Sequence, residues 1–141
     1  MDVNVERIRE RLVFIREQVD VLEPLAHNQE LRQRRFQDAL SYGGIVRSLQ
    51  TSIEAMIDIA FHLCAKLHAK EPQSAAGAFE ILADFGDLPR EFLPRALKMV
   101  RFRNLVVHGY LQINSRAVET IVTQDLVDFA EWEKIITELI R

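Results

Sequence analysis

Cysteine is almost missing from this 141-residue chain, where Cys64 stands alone. That excludes an internal disulfide framework and a zinc cage of clustered thiolates, and it fits a reducing cytosol. Glycine and proline are also scarce, at five and four residues, too few for a fibrous or disordered chain. No stretch approaches the ~18 consecutive apolar residues of a membrane-spanning helix. The longest run without Asp, Glu, Lys or Arg covers residues 104–115 and contains His108, Gln112 and Asn114. The opening Met1-Asp2-Val3-Asn4-Val5-Glu6-Arg7 turns charged at once, without the apolar segment of a signal peptide. A soluble, cytoplasmic protein with no membrane partner is expected. Excess charge of one sign is missing too: 18 Lys plus Arg against 21 Asp plus Glu leave a formal −3. Bulk attraction to nucleic acid is therefore excluded, and any nucleic-acid site must be a local patch. No pair of alternating strands is joined by a hairpin turn, and there are no repeats or low-complexity tracts.

What remains is helical periodicity over a single expected domain, residues 1–141, with 48% apolar residues to fill its core. Val5, Ile8, Leu12, Ile15, Val19 and Leu22 step by three or four, one stripe of an amphipathic helix. Phe14 and Val21 lie on another side, so this helix has a second face to cover. Pro24 is expected to end it, and Asn28 to cap the next. That second helix reads as very long, from about residue 29 to 70, with Leu49, Ile53, Met56, Ala60, Leu63 and Leu67 as its stripe. The Gly43-Gly44 pair, with Tyr42 beside it, predicts a bend or a close contact; a short loop between two helices is the alternative. Residues 74–85 predict a short helix stopped by Gly86. Asp87 is a candidate cap for the next, whose regular part starts near Leu93 because Pro94 lacks an N–H. The last helix carries Val118, Val122, Leu126, Phe129, Ile136 and Ile140. The fold class is all-α, an up-and-down bundle of four to five helices.

Charge is uneven. Residues 90–103 hold five bases (Arg90, Arg95, Lys98, Arg101, Arg103) and one acid, whereas residues 117–141 hold six acids and two bases. These are either solvated faces on different helices or a phosphate-facing patch that ends at Arg103. The segment from Arg101 to Tyr110 puts two arginines, an amide, an imidazole and a phenol within ten residues. Arg is a permanent cation whose planar fork pairs two phosphate oxygens. His takes or gives a proton near neutral pH. RNA supplies its own nucleophile, the 2′-hydroxyl, so this pair suits phosphodiester chemistry without metal or cofactor. On an ideal helix positions 103 and 108 lie about 140° apart. They converge only if the helix is distorted near Gly109, or across a dimer interface.

Other residues have blander readings beside functional ones. Glu54, Asp58 and His62 share one helix face at i, i+4 and i+8, either as a solvated face, as support for His108 or as metal ligands. Cys64 reads as a buried filler, His27 as a surface turn residue, and Trp132 as a core anchor or an interface residue. Arg32, Arg34, Arg35 and Arg47 are solvated by default but would widen a basic surface.

The segment Arg103-Asn104-Leu105-Val106-Val107-His108-Gly109-Tyr110 resembles the HEPN signature, an Arg, four to six residues, then His, with a polar residue after the Arg. The Tyr two residues past the His looks like the HepT-type subgroup, and residues 52–63 are similar to a helix of that subgroup. The resemblance spans roughly Ile8 to the C-terminus. It implies the toxin of a type VII toxin–antitoxin system: a homodimeric, metal-independent endoribonuclease acting on tRNA or mRNA. A minimal nucleotidyltransferase (MNT) antitoxin would silence it by attaching AMP to Tyr110. The resemblance makes Arg103 the phosphate-stabilising cation and His108 the acid or base. Asn104 would orient the site, with Arg101, Asp58 and His62 binding or supporting. The alternative within the same resemblance is a non-catalytic HEPN-like module that partners a nucleotidyltransferase subunit.

Overall fold

The computed structural model describes residues 2–109 and 115–141. Helix α1 (Val5–Ala26) is capped by Asn4, whose side chain accepts from the Arg7 N–H. It buries Ile8, Leu12, Ile15, Val19 and Leu22 of the expected stripe and adds Leu25, while Val5 at its start is only partly buried. Pro24 lies inside its last turn rather than ending it. A proline this late removes little of the helix ladder, and burial of Leu25 holds the turn in place.

The expected long helix is two helices. Helix α2 (Gln29–Gln37), capped by Asn28, is followed by α3 (Ala39–His68). The break falls at Asp38, not at the glycine pair. Asp38 is extended (φ −90°, ψ 117°), and its carboxylate accepts from the Ser41 N–H, 2.9 Å away. An Asp side chain that bonds the backbone ahead competes with helix continuation, which makes it a stop and a start at once. Gly43 and Gly44 sit within α3 with open space where a Cβ would point, so no close contact explains them.

Helix α4 (Ala75–Asp84) is capped by Ser74 and closed by Gly86 at φ +84°. Asp87 caps nothing: its carboxylate meets His68 Nε2 at 2.5 Å, under a ring that stacks on Phe85. Helix α5 (Leu93–Val107) follows a turn, with Pro94 in its first positions and no side-chain cap at Phe92. Helix α6 (Ser115–Thr120) runs through a π-helical turn at residues 121–125 into α7 (Leu126–Leu139). The extra residue of a π turn shifts the face presented. Here it lets adjacent Ile121 and Val122 both be buried before Leu126 resumes the stripe.

Helix α3 is the central element, with α1 and α2 on it and α4 and α5 against it; α1 also meets the π turn and α7. All of them share one apolar cluster. Trp132 is wholly buried there, edge-on to Phe79 and near-parallel to Phe92, so it is a core anchor. Cys64 is buried as well, with its thiol donating to the Ala78 carbonyl. Among the described residues there is no strand, and no helix is long and apolar enough to cross a membrane.

Candidate active site

Helix α5 carries the candidate catalytic residues. Phe92, Ala96, Met99, Val100 and Phe102 are buried and fix it in the cluster. At 100° per residue, Arg103 falls on the same side as Met99 and Val106. Its side chain is accordingly half-buried, and its Nε is enclosed without a hydrogen-bond partner among the described residues. Arg101, Asn104 and His108 are exposed. Arg101 and His108, seven residues apart, share the outer face. Leu105 and Val107, 44% and 56% exposed, leave apolar surface uncovered around the histidine.

The helix ends in regular fashion. The His108 N–H donates to the Asn104 carbonyl at 3.0 Å, and the Gly109 N–H donates to Val106. Gly109 then takes φ +78°, a conformation open to glycine at little cost. Helical geometry up to His108 keeps the imidazole about 140° round from Arg103, so no distortion of α5 brings them to one side. Tyr110 lies outside the described residues.

The expected basic patch is largely neutralised from within. Arg90 pairs with Asp84 (2.7 Å), Lys98 with Asp125 (2.8 Å) and Arg95 with Asp128 (3.3 Å). The basic segment and the acidic segment therefore face each other, rather than forming separate solvated faces. The π turn carries Asp125 and is followed at once by Asp128. Nothing in the local sequence pairs these acids with α5; only the packed bundle does. Burial pushes the Asp128 carboxyl up from the usual aspartate value, more than nearby Arg95 pulls it down. Of the five bases, Arg101 and Arg103 alone have no ion pair among the described residues. They are the two nearest His108 in the chain.

Asp58 and His62 are engaged elsewhere. Asp58 pairs with Arg11 of α1 at 3.1 Å, and His62 Nε2 accepts the Asn4 N–H at 2.9 Å. That acceptor role requires a neutral ring. Desolvation lowers the His62 pKa, and the positive charges of Arg7 and Lys66 add to the effect. Both residues thus bind the start of α1 to α3. Glu54 is met by Gln50 (3.2 Å), and no cluster of metal-ligating side chains occurs among the described residues. Arg32, one of the arginines considered for a wider basic surface, is tied to Glu119 and to the Leu25 carbonyl.

Comparison with known proteins identifies the family. The family described as Ribonuclease HepT-like matches residues 1–135. The chain belongs to this family. An mRNA nuclease HepT from Shewanella oneidensis is 32% identical over 100 residues, covering 71% of this chain and 75% of that protein. Among solved structures, a tri-AMPylated Shewanella oneidensis HEPN toxin in complex with an MNT antitoxin superposes with a TM-score of 0.84 at 26% identity. The match covers 98% of this chain and 99% of that one. A toxin–antitoxin crystal structure with AMP-PNP gives 0.84 at 25% identity, covering 94% and 98%. For a HepT-like ribonuclease, the sequence expectation of an all-α HEPN-like bundle holds.

Proposed function

We propose that this chain, as one HEPN-like domain, is the cytoplasmic toxin of a type VII toxin–antitoxin pair. It acts as a homodimeric, metal-independent endoribonuclease that a partner nucleotidyltransferase silences by AMP addition at Tyr110. The observation that carries the reading is the state of Arg103. A permanent cation is held on the core side of α5 with a buried donor that meets no acceptor among the described residues, within five residues of an exposed imidazole. An enclosed donor without a partner costs about 1–3 kcal/mol, and a phosphate oxygen would satisfy it. Family membership supplies the reaction class.

His108 removes the 2′-hydroxyl proton of RNA, and the 2′-oxygen attacks the adjacent phosphorus. As that P–O bond forms, the bond to the 5′-oxygen breaks. The leaving oxygen takes a proton from His108 of the partner subunit, leaving a 2′,3′-cyclic phosphate and a 5′-hydroxyl. Arg103 stabilises the charge on the pentavalent phosphate, Arg101 holds a neighbouring phosphate and Asn104 orients the strand. Regular α5 geometry keeps Arg103 and His108 of one chain on different sides, so a cleft shared by two copies is the route by which they meet. Exposed Leu105 and Val107 are apolar surface for that contact. Asp58 and His62 support the site at one remove, by fixing α1 on α3. A nucleotide on Tyr110 places a bulky anion two residues from His108, where it competes with substrate phosphate for the arginines.

The test is cleavage of mRNA and tRNA by the purified protein with EDTA present, compared with His108→Ala. General acid–base catalysis is worth about 10²–10⁴-fold, so the variant should lose at least that much while keeping its oligomeric mass. Wild-type protein that binds RNA or nucleotide tightly and cuts nothing would overturn the assignment.

A further inference from the structure

Along its outer side, α5 continues from the candidate site into a groove. Pro94, Lys98, Arg101 and His108 lie within about 80° of one another round the helix. The first three form one wall of a cleft of about 490 Å³, and Gln124 of the π turn and Val127 of α7 stand in the other. That volume is of the size that takes a small ligand, about 300–1,000 Å³. Two ion pairs cross from wall to wall, Arg95 to Asp128 at 3.3 Å and Lys98 to Asp125 at 2.8 Å. They hold the width of the cleft and cancel most of its charge, leaving Arg101 as its cation without an ion pair among the described residues. Gln124 is exposed, and its amide meets no hydrogen-bond partner among the described residues. It belongs to the π turn, a distortion that recurs at functional sites. Val127, one turn on, is 66% exposed.

We infer that this cleft is a base-reading subsite: Arg101 takes the phosphate of an unpaired nucleotide near the scissile linkage, and the Gln124 amide reads its base as adenine. The inference rests on the ribonuclease reading proposed above and adds a specificity-determining residue to it. At 1.5 Å per residue, Arg101 stands about 10 Å from His108 along the helix. A stacked strand advances about 3.4 Å per nucleotide, so the cleft meets the RNA about three nucleotides from the cut. Sequence-specific RNA recognition reads the edges of splayed-out bases. A carboxamide sets a donor beside an acceptor, which pairs with the exocyclic amine and the adjacent ring nitrogen of adenine. Asp125 and Asp128, also in the lining, sharpen the choice. Their carboxylates repel carbonyl oxygens, and adenine alone of the four bases has none. Pro94 and Val127 offer apolar surface to the flat face of the base. RNA is the occupant because the cleft is continuous with the face that carries His108. Paired charges and a spare amide also suit hydrogen bonding to a base edge better than a buried apolar anchor.

The test incubates the full chain with a pool of RNA of randomised sequence, EDTA present, and sequences the product ends. Adenine should be enriched over uracil by at least about fivefold at one position about three nucleotides from the cut, the discrimination of a bidentate amide–base pair. In Gln124→Ala the enrichment at that position should vanish while base preferences at other positions persist, a local change that a general loss of structure does not produce. Val127→Asp, which brings an acid into the cleft, should abolish the same enrichment. Both changes are at exposed positions, and circular dichroism and native mass check fold and assembly. Products without adenine enrichment, or with enrichment unchanged in Gln124→Ala, would overturn the subsite and leave the ribonuclease reading intact. A native mass that falls in Val127→Asp would assign the cleft to contact between copies and overturn the subsite equally. A wild type that cuts nothing in the pool would refute the ribonuclease reading, and this inference with it.

Discussion

Arg103 offers a prediction in which stability and activity move in opposite directions. Its Nε is buried and has no partner among the described residues, so the folded chain carries a desolvated donor that water would satisfy in the unfolded one. Replacing it by methionine keeps a long unbranched stem in the same space and removes the donor. The cost of such a group is about 1–3 kcal/mol. Even the lower figure raises the melting temperature of a chain this long by about 2–5 °C. Activity should fall, because a transition-state charge loses a pre-positioned donor; single donors of that kind are worth about 10²–10³ in rate. Arg103→Lys separates charge from geometry: it keeps the cation, loses the fork and should fall between the two. Thermal unfolding followed by circular dichroism, with single-turnover cleavage on the same samples, reads both. An Arg103→Met protein destabilised by more than about 1 kcal/mol, or cleaving RNA within threefold of wild type, would show that the residue is a structural prop.

Two further outcomes follow from groups away from that residue. Burial holds the Asp128 carboxyl above its ordinary 3.8. A carboxyl that titrates higher in the folded chain stabilises the fold while protonated, and that contribution fades as pH rises through the folded value. The unfolding free energy of Asp128→Asn, relative to wild type in urea titrations, should therefore improve from below pH 4 to pH 7; a change in the reverse direction would refute the burial effect. Burial pushes the Cys64 thiol up to about 11, which leaves about one thiolate in a thousand at pH 8. Iodoacetamide should label the native protein at least about 100-fold more slowly than the urea-unfolded chain, and comparable rates would place the thiol at the surface.

The fold was legible where a residue acts within one turn of itself. Asn28 announces a cap, Gly86 a stop and Pro94 a first turn, and the apolar stripes of α1, α3 and α7 are largely the buried ones. The break at Asp38 was equally local but was masked by the louder glycine pair five residues on. What the sequence hides is pairing between helices. Asp125 and Asp128 neutralise Lys98 and Arg95 across a gap of about thirty residues, and only assembled geometry reveals it. The same holds for His62, whose spacing from Asp58 suggests a shared polar face while its actual partner is a backbone N–H near the chain start. Arg103 and His108 were visible as residue types in a recognisable order. Their placement on different sides of α5 followed from helix geometry, and the buried state of the arginine required the neighbours.

The matching of the bases of residues 90–103 by acids from α4, the π turn and α7 has a consequence for how this segment meets polyanions at large. Binding a single strand releases condensed counterions in proportion to the cations that engage phosphate, with a logarithmic slope of roughly −0.7 for each. Within residues 90–103, the two arginines without an ion pair among the described residues give roughly −1.4 per protomer, where all five bases would give roughly −3.5. This segment therefore adds little salt-sensitive attraction to polyanions at large. Selection at such a surface falls to shape and stacking rather than to charge density.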